Sequence, residues 1–126
     1  MDPIWTRMMI VAAGGAIGSV ARYLVGVAFV AKLGPGFPWG TLLVNVVGSG
    51  LLGFLLQASR LPPNLLLGLG TGVMGGFTTY STFNAECFRY LQAGAYGHAA
   101  LYVGVTLVGG LLSCLVGFTV GRQVFG

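Results

Sequence analysis

Charged residues are scarce in this 126-residue sequence, which has six Lys or Arg and only two acidic residues, Asp2 and Glu86. Charged residues make up 6% of the chain and hydrophobic residues 56%. Soluble domains carry roughly a quarter charged residues, so this composition cannot build a water-soluble surface. Nucleic-acid binding is also disfavoured, because the basic residues are scattered and phosphate contacts need clustered Lys and Arg. The sequence therefore predicts an integral membrane protein that contacts the lipid bilayer and binds no nucleic acid.

The residues that build metal and catalytic centres are equally scarce. The chain has two cysteines, Cys87 and Cys114, and a single histidine, His98. No Cys/His spacing is typical of a metal site or a disulfide framework, and no nucleophile is paired with a base. An enzyme is therefore disfavoured, and the cysteines are interpreted as helix-packing residues.

Four long apolar segments fill the sequence. They are predicted at about residues 5–31, 39–58, 65–91 and 96–120. Each is long enough for the roughly 20 residues that cross a bilayer. Residues 1–126 are therefore predicted to form a single all-α transmembrane domain with four helices. The first segment is interpreted as a retained span rather than a cleaved signal peptide.

A polar interruption lies near the middle of the third segment. Residues 75–83 read Gly-Gly-Phe-Thr-Thr-Tyr-Ser-Thr-Phe, with a glycine pair and a run of hydroxyl side chains. In hydrocarbon, a backbone leaves the helix only where protein or a polar cavity satisfies its freed groups. Broken membrane helices commonly bind ions. The sequence therefore predicts a broken third helix and a function in ion movement.

The basic residues hardly distinguish the two sides of the membrane. Four spans place Arg7, Arg60 and Arg122 on one side, and Lys32 and Arg89 on the other. Orientation follows an excess of Lys and Arg, so a three-to-two split permits insertion in both directions. Many transporters have two inverted halves around a site at the membrane midplane. Because this chain is long enough for one such half, an antiparallel dual-topology homodimer is predicted.

Polar and aromatic residues at helical spacing outline a candidate anion path. Thr41 and Asn45 lie one turn apart, and a neutral amide donor suits brief contact with an anion. Interhelical hydrogen bonding is the alternative role of Asn45. Tyr80 and Phe83 are spaced i,i+3, and they either pack in the core or turn their positive ring edges toward an anion. Nearby hydroxyls extend the path: Thr79, Ser81, Thr82, Tyr102 and Thr106.

Three charged side chains lie within the apolar segments. Arg22 is expensive in hydrocarbon, which favours a functional role. It either concentrates anions in a wet vestibule or pairs with backbone carbonyls at a dimer interface. Glu86 and Arg89 are spaced i,i+3, and we expect them to form a local ion pair near the membrane surface.

Three of these motifs resemble the Fluc (CrcB-type) fluoride channels of microbial membranes, in the same order and over essentially the whole chain. The motifs are residues 14–23 (GGAIGSVARY), 40–49 (GTLLVNVVGS) and 75–83 (GGFTTYSTF). The resemblance implies a fluoride-selective passive channel that exports cytoplasmic fluoride and confers fluoride resistance. It further implies an antiparallel dimer with two pores in the bacterial inner (plasma) membrane.

The resemblance also implies roles for individual residues. The pore asparagine of the family corresponds to Asn45, and its paired pore phenylalanines correspond to Tyr80 and Phe83. Here Tyr80 departs from the family, because it adds a hydroxyl to the pore wall. The polar track on the fourth helix corresponds to Tyr102 and Thr106.

The family resemblance also implies a central structural sodium ion. Backbone carbonyls of Gly75 and Thr78 from both subunits would hold that ion. A second departure concerns the polar track, since Gly110 stands where the family often has a serine.

Other functions fit the residues less well. Proton-coupled fluoride antiport needs a carboxylate within the membrane, and Glu86 is the only candidate. A dual-topology exporter of small cationic drugs needs a carboxylate in the first helix, where the only internal charge is Arg22. A non-transporting structural subunit leaves the polar residues without a role. We therefore expect a passive channel, with the antiporter as the first alternative.

Overall fold

The structure is a computed structural model that describes residues 2–126, in which no β-strand is present. Its long helices are α1 (Ile4–Leu33), α2 (Trp39–Leu55) and α6 (Tyr96–Phe125). Between α2 and α6, the chain forms α3 (Pro63–Leu66), a π-helical segment (Leu67–Met74), α4 (Gly75–Phe77) and α5 (Tyr80–Gln92). Helix α3, the π-helical segment and α4 follow one another without a break. All regular elements within residues 2–126 are helical.

Helices α1 and α6 are long and apolar enough to cross a bilayer. Each has 30 residues, and only 11% of an apolar 18-residue stretch of each helix is buried within the chain. At 1.5 Å per residue each helix extends about 45 Å, which exceeds the roughly 30 Å of bilayer hydrocarbon. Outward-facing apolar helices of this length are consistent with a membrane protein.

The ends of two helices differ from the predicted segments. Helix α2 ends at Leu55, and beyond Leu56 the N–H groups bond only three residues back: Gln57 to Phe54, and Ala58 to Leu55, both at 3.1 Å. These tightened turns continue the apolar run without continuing the α-helix. Helix α6 instead continues to Phe125, past the last predicted apolar residues.

Glycine ends both α1 and α5. Gly34 follows α1 with φ 75°, and Gly94 follows α5 with φ 70°. After α5, the N–H of Gly94 bonds the Leu91 carbonyl at 3.1 Å, and that of Ala95 bonds the Tyr90 carbonyl at 2.8 Å. This pattern is a Schellman motif, which favours glycine in the left-handed position. The resulting short connector places α5 beside α6.

The core of the chain lies between α2, α5 and α6. Val44 of α2 and Tyr102 of α6 are its largest fully buried side chains. Phe83 of α5 packs against Tyr102 and is 7% exposed. The core therefore contains two residues of the candidate anion path, Phe83 and Tyr102.

Glycine seams bring the backbones of neighbouring helices into contact. On α1, a Cβ added at Gly18 would overlap the carbonyl oxygen of Val73 in the π-helical segment. On α6, a Cβ added at Gly117 would overlap the carbonyl oxygen of Gly50 in α2. Small residues permit such close approach between membrane helices. These seams fix the π-helical segment against α1 and α2 against α6.

Gly18→Ala is expected to destabilise the fold by about 1–3 kcal/mol, because the added methyl overpacks the seam. Gly26→Ala on the same helix is the matched control, since its Cβ would meet no atom within 4 Å. Within a helix alanine is more favourable than glycine by about 1 kcal/mol, so Gly26→Ala should not lower the unfolding midpoint. Thermal unfolding in detergent should show a lower midpoint for Gly18→Ala only. Equal midpoints would contradict the close packing.

Helical structure is interrupted at Thr78 and Thr79. Both residues have extended backbone, with φ/ψ of −87°/155° and −150°/114°. The N–H and hydroxyl of Thr78 both donate to the Met74 carbonyl, at 3.0 and 2.9 Å. The Thr79 hydroxyl accepts from the Thr82 N–H at 3.2 Å and so caps the start of α5. Thus one threonine ends α4 and the other begins α5.

Candidate functional site

Asn45 binds the interrupted backbone from α2. Its Nδ2 donates to the Thr79 carbonyl at 3.0 Å, and its Oδ1 accepts from the Thr79 N–H at 2.7 Å. Partly buried backbone groups need such partners where a helix does not supply them. The amide has two N–H groups, so one remains for a ligand. The interhelical hydrogen bond, which was the alternative role of Asn45, is therefore present. It uses one N–H of the amide and leaves the second N–H without a partner within residues 2–126.

Two backbone carbonyls at the interruption lose their helical donors. In a continuous helix, the Thr79 N–H would bond the Gly75 carbonyl, and the Thr82 N–H would bond the Thr78 carbonyl. Here those N–H groups bond Asn45 and the Thr79 hydroxyl instead. Carbonyls of unwound membrane helices are the groups that coordinate sodium in transporters. The backbone carbonyl oxygens of Gly75 and Thr78 are therefore suitable ligands for a hard cation.

Arg22 reaches the interruption from α1. Its Nε donates to the Gly76 carbonyl at 3.0 Å. Gly76 is itself pressed against α1, because a Cβ added there would lie 2.5 Å from the Gly15 carbonyl oxygen. Arg22 also lines a cavity beside the interruption. The structure thus combines a carbonyl contact with a position at a cavity wall.

Glu86 joins three helices and does not pair with Arg89. The Thr41 hydroxyl of α2 donates to Oε1 at 2.7 Å, and the Tyr102 hydroxyl of α6 donates to Oε2 at 2.8 Å. The expectation of a Glu86–Arg89 ion pair was wrong, since none is found within residues 2–126. Hydroxyl donors from two other helices orient the carboxylate toward α2 and α6. Glu86 is thus a site residue whose role sequence reasoning misassigned.

The two predicted pore rings occupy different environments. Phe83 meets the Tyr102 ring edge to face, with centroids 5.1 Å apart and planes at 81°. Phe37 meets Tyr102 in the same manner, at 5.4 Å. Tyr80 is 77% exposed, and its ring lies 6.3 Å from that of Phe83. The chain therefore packs Phe83 against Tyr102 and leaves Tyr80 on its surface.

The remaining predicted hydroxyls form one cluster and one isolated group. The Thr79 hydroxyl lies 3.0 Å from that of Thr82 and 3.5 Å from that of Ser81. On α6, the Thr106 hydroxyl is buried and has no hydrogen-bond partner within residues 2–126. Near Gly110, an added Cβ would lie 3.6 Å from the Ser49 hydroxyl oxygen. A hydroxyl thus lies close to Gly110, although it comes from α2.

A cavity of about 850 Å³ lies between α1, α2 and α5. It extends from Pro35 and Phe37 in the α1–α2 connector to Thr79 at the interruption. Three charged side chains line it: Arg22, Glu86 and Arg89. Its walls also include Thr41 and Thr82. The cavity therefore leads to the hydrogen-bonding residues described above.

Comparison with known proteins adds the family. Residues 9–118 match the sequence model of a family described as CrcB-like protein, Camphor Resistance (CrcB). The chain belongs to the CrcB family.

Relatives of this CrcB-family chain carry the name fluoride-specific ion channel FluC. The Agrobacterium fabrum protein is 48% identical over 123 residues, covering 94% of this chain and 98% of the relative. The protein of Caulobacter vibrioides strain NA1000 is 43% identical over 124 residues, with coverages of 94% and 98%. That of Sphingopyxis alaskensis is 46% identical over 115 residues, with coverages of 88% and 91%. The resemblance recognised in the three motifs is thereby confirmed.

CrcB membership bears on two further expectations. The relatives are named as ion channels, so the family is not one of enzymes, as the sequence predicted. A channel family also implies a membrane protein, which agrees with the apolar helices α1 and α6.

Proposed function

We propose that this chain forms a fluoride-selective passive channel that exports cytoplasmic fluoride. The observation that carries the proposal is the set of uncharged donors that an otherwise apolar chain gathers at the interruption and at Glu86. We call this set the donor cluster, and it consists of the Asn45 amide and the hydroxyls of Thr41, Thr79, Ser81, Thr82 and Tyr102. The names of the relatives support fluoride as the ion.

The donor cluster suits a small, strongly hydrated anion. Conduction requires binding that is favourable enough for the ion to be taken up and weak enough for its release. The free N–H of Asn45 and the hydroxyls replace hydration without a trapping positive charge. The edge of the Phe83 ring adds a weakly positive surface. Thr106 on α6 offers a further hydroxyl that has no hydrogen-bond partner among the described residues.

Glu86 sets a condition on this path. Each hydroxyl has one proton, and those of Thr41 and Tyr102 point at the carboxylate. Either hydroxyl must therefore turn away from Glu86 before it can donate to fluoride. We propose that Glu86 holds these donors between ions and that fluoride competes with the carboxylate for them.

Proton-coupled fluoride antiport is the second candidate, and Glu86 is the observation that favours it. Its half-buried carboxylate bridges three helices and is the only acidic side chain within the helices of the chain. A carboxylate in this position is the kind of group that carries protons in transporters.

Fluoride efflux from liposomes separates the two candidates. Purified protein is reconstituted into fluoride-loaded vesicles, and external fluoride is followed with an ion-selective electrode. A passive channel should release fluoride without a proton gradient and retain chloride loaded in parallel. Efflux that requires a proton gradient would contradict the channel and favour the antiporter. Vesicles without protein provide the leak control.

We also propose an antiparallel, dual-topology homodimer with one pore around each donor cluster. The nearly even distribution of Lys and Arg permits both orientations. The exposed Tyr80 and Ser81 beside the interruption are more polar than a lipid-facing surface favours, and a second copy would cover them. In this proposal each chain crosses the membrane four times, and the dimer lies in the bacterial inner membrane.

The dimer would hold a structural sodium ion at its centre. Gly75 and Thr78 would supply their freed carbonyls from each copy, so two inverted chains provide four oxygen ligands. The positive charge of the ion would stabilise carbonyl oxygens that have lost their helical N–H donors. Its role in this proposal is structural, and it is not transported.

Tyr102→Phe is expected to slow fluoride efflux about tenfold, as the loss of one hydrogen bond to a charged group implies. The change removes a donor from the path but keeps the ring contacts with Phe83 and Phe37. Tyr96→Phe is the matched control, because Tyr96 is 68% exposed at the start of α6. Efflux from Tyr102→Phe at the wild-type rate would exclude the hydroxyl from the path.

A further inference from the structure

The cavity beside the interruption is much larger than a monatomic ion requires. Its volume of about 850 Å³ lies within the roughly 300–1,000 Å³ of pockets that bind organic molecules. A water molecule, for comparison, occupies about 30 Å³ in the liquid. Apolar side chains make up much of the wall, among them Val27, Val30, Phe37, Trp39 and Val44. The space therefore suits a ligand with an apolar body.

The charges of the cavity select an anion. Arg22 and Arg89 both line it. Arg22 uses its Nε on the Gly76 carbonyl, and its terminal nitrogens carry further donors. Within residues 2–126 Arg89 forms no ion pair with Glu86, the one carboxylate in the wall, which accepts instead from Thr41 and Tyr102. Two guanidinium groups against one hydrogen-bonded carboxylate favour a negatively charged ligand.

Contacts of the α1–α2 connector fix one wall of the cavity. The Tyr90 hydroxyl donates to the Gly36 carbonyl of the α1–α2 connector at 3.0 Å. The Phe37 ring packs against Trp39 at 4.7 Å and against Tyr102 at 5.4 Å. These contacts hold the connector in place before any ligand arrives. A preformed site avoids the entropy cost of ordering a loop on binding.

We infer that this cavity binds an amphiphilic organic anion, such as a medium-chain carboxylate. The carboxylate binds the guanidinium groups of Arg22 or Arg89, a pairing that is often bidentate. The alkyl chain lies along the apolar wall. Because Thr41, Thr79 and Thr82 also line the cavity, the bound anion obstructs the donor cluster. This last step rests on the proposed channel function, whereas binding itself does not.

Octanoate is the probe, and its binding to the purified protein in detergent is measured by titration calorimetry. Octanol tests the need for charge, and acetate tests the need for the chain. Octanoate should bind, and the two comparison compounds should bind at least about tenfold more weakly, because each lacks one of the two interactions. Octanol binding as tightly as octanoate would overturn the anion site.

Variants place the site. Gly26→Leu adds a bulky side chain at a residue that lines the cavity and keeps both arginines, since a Cβ at Gly26 meets no atom within 4 Å. Arg89→Gln removes one positive charge. Both should weaken octanoate binding about tenfold, whereas Arg122→Gln in the last turn of α6 should not. Equal binding by all three variants would show partition into detergent and overturn the inference.

Fluoride efflux tests the consequence for transport. Octanoate should slow efflux through the wild-type protein and have little effect on Gly26→Leu, each compared with its own untreated rate. Vesicles without protein control for leakage caused by octanoate. Site-dependent binding without fluoride efflux would support the cavity and contradict the proposed function. Efflux that octanoate does not slow would contradict the obstruction while leaving the channel intact.

Discussion

Asn45→Asp is expected to slow fluoride efflux by at least about 100-fold. The side chain of Asn45 now donates to the Thr79 carbonyl at 3.0 Å and accepts from the Thr79 N–H at 2.7 Å. Aspartate keeps the second contact but turns an acceptor toward the carbonyl. Loss of that bond leaves acceptors unpaired at about 1–3 kcal/mol each, and about 2.7 kcal/mol in the barrier equals 100-fold. The new negative charge would also repel fluoride.

Gln123→Glu is the matched control for this substitution. It makes the same amide-to-acid change at an exposed residue in the last turn of α6. Efflux through this variant should match the wild type, measured with the electrode in the same vesicles. Thermal unfolding of both variants separates loss of the path from loss of the fold. Wild-type efflux through a folded Asn45→Asp protein would remove Asn45 from the path.

The all-helical fold follows from the sequence because apolar runs of this length have few alternatives. The helix ends follow less closely. An apolar run records which residues avoid water, whereas a helix ends where its backbone bonds change. After Leu55, the bonds of Gln57 and Ala58 tighten while the residues stay largely apolar. The π-helical segment has no comparable signal, since its apolar residues and glycines also occur in α-helices that span membranes.

Glycine spacing was more informative than helix length. Pairs four residues apart, such as Gly14/Gly18 and Gly117/Gly121, are typical of close packing between membrane helices. In the structure, Gly18 meets the π-helical segment, and Gly117 meets Gly50 of α2. The spacing thus identified the packed faces. It did not identify their partners, because those depend on the tertiary fold.

The candidate site shows the same division between local and long-range information. Phe83 and Tyr102 were selected as polar or aromatic groups in apolar segments, and both lie in the core. Glu86 was misassigned because the i,i+3 rule considers neighbours on one helix only. Its partners, Thr41 and Tyr102, lie 45 and 16 residues away along the chain. The volume of the cavity likewise depends on three helices at once.

The opposing interpretations of Asn45 turn out to be compatible. One N–H of the amide binds the Thr79 carbonyl, which is the interhelical contact predicted as an alternative to a pore role. The second N–H has no partner within residues 2–126. A residue that fixes the interruption is therefore compatible with a role in the proposed path. The sequence presents these roles as alternatives because it does not show how many partners each amide atom has.

Replacing sodium with choline throughout purification is expected to shift the proposed dimer to monomers and to abolish fluoride efflux. The carbonyls of Gly75 and Thr78 have lost their helical N–H donors to Asn45 and Thr79. In an antiparallel pair, four such oxygens would meet without a cation. At about 1–3 kcal/mol for each unsatisfied group, the penalty is comparable to the roughly 5–15 kcal/mol that stabilises a typical fold. Light scattering after size-exclusion chromatography measures the monomer fraction.

Equal ionic strength distinguishes a bound ion from general screening. Choline and sodium chloride at the same concentration screen surface charges to the same extent, but choline is too large to fit between backbone carbonyls. Sodium added back to the choline preparation should therefore restore both the dimer and the efflux, while more choline should restore neither. A dimer equally stable in both salts, with no sodium detected by elemental analysis, would contradict the site at Gly75 and Thr78. Because Asn45→Asp would perturb the same interruption from α2, that variant should also need a higher sodium concentration to dimerise.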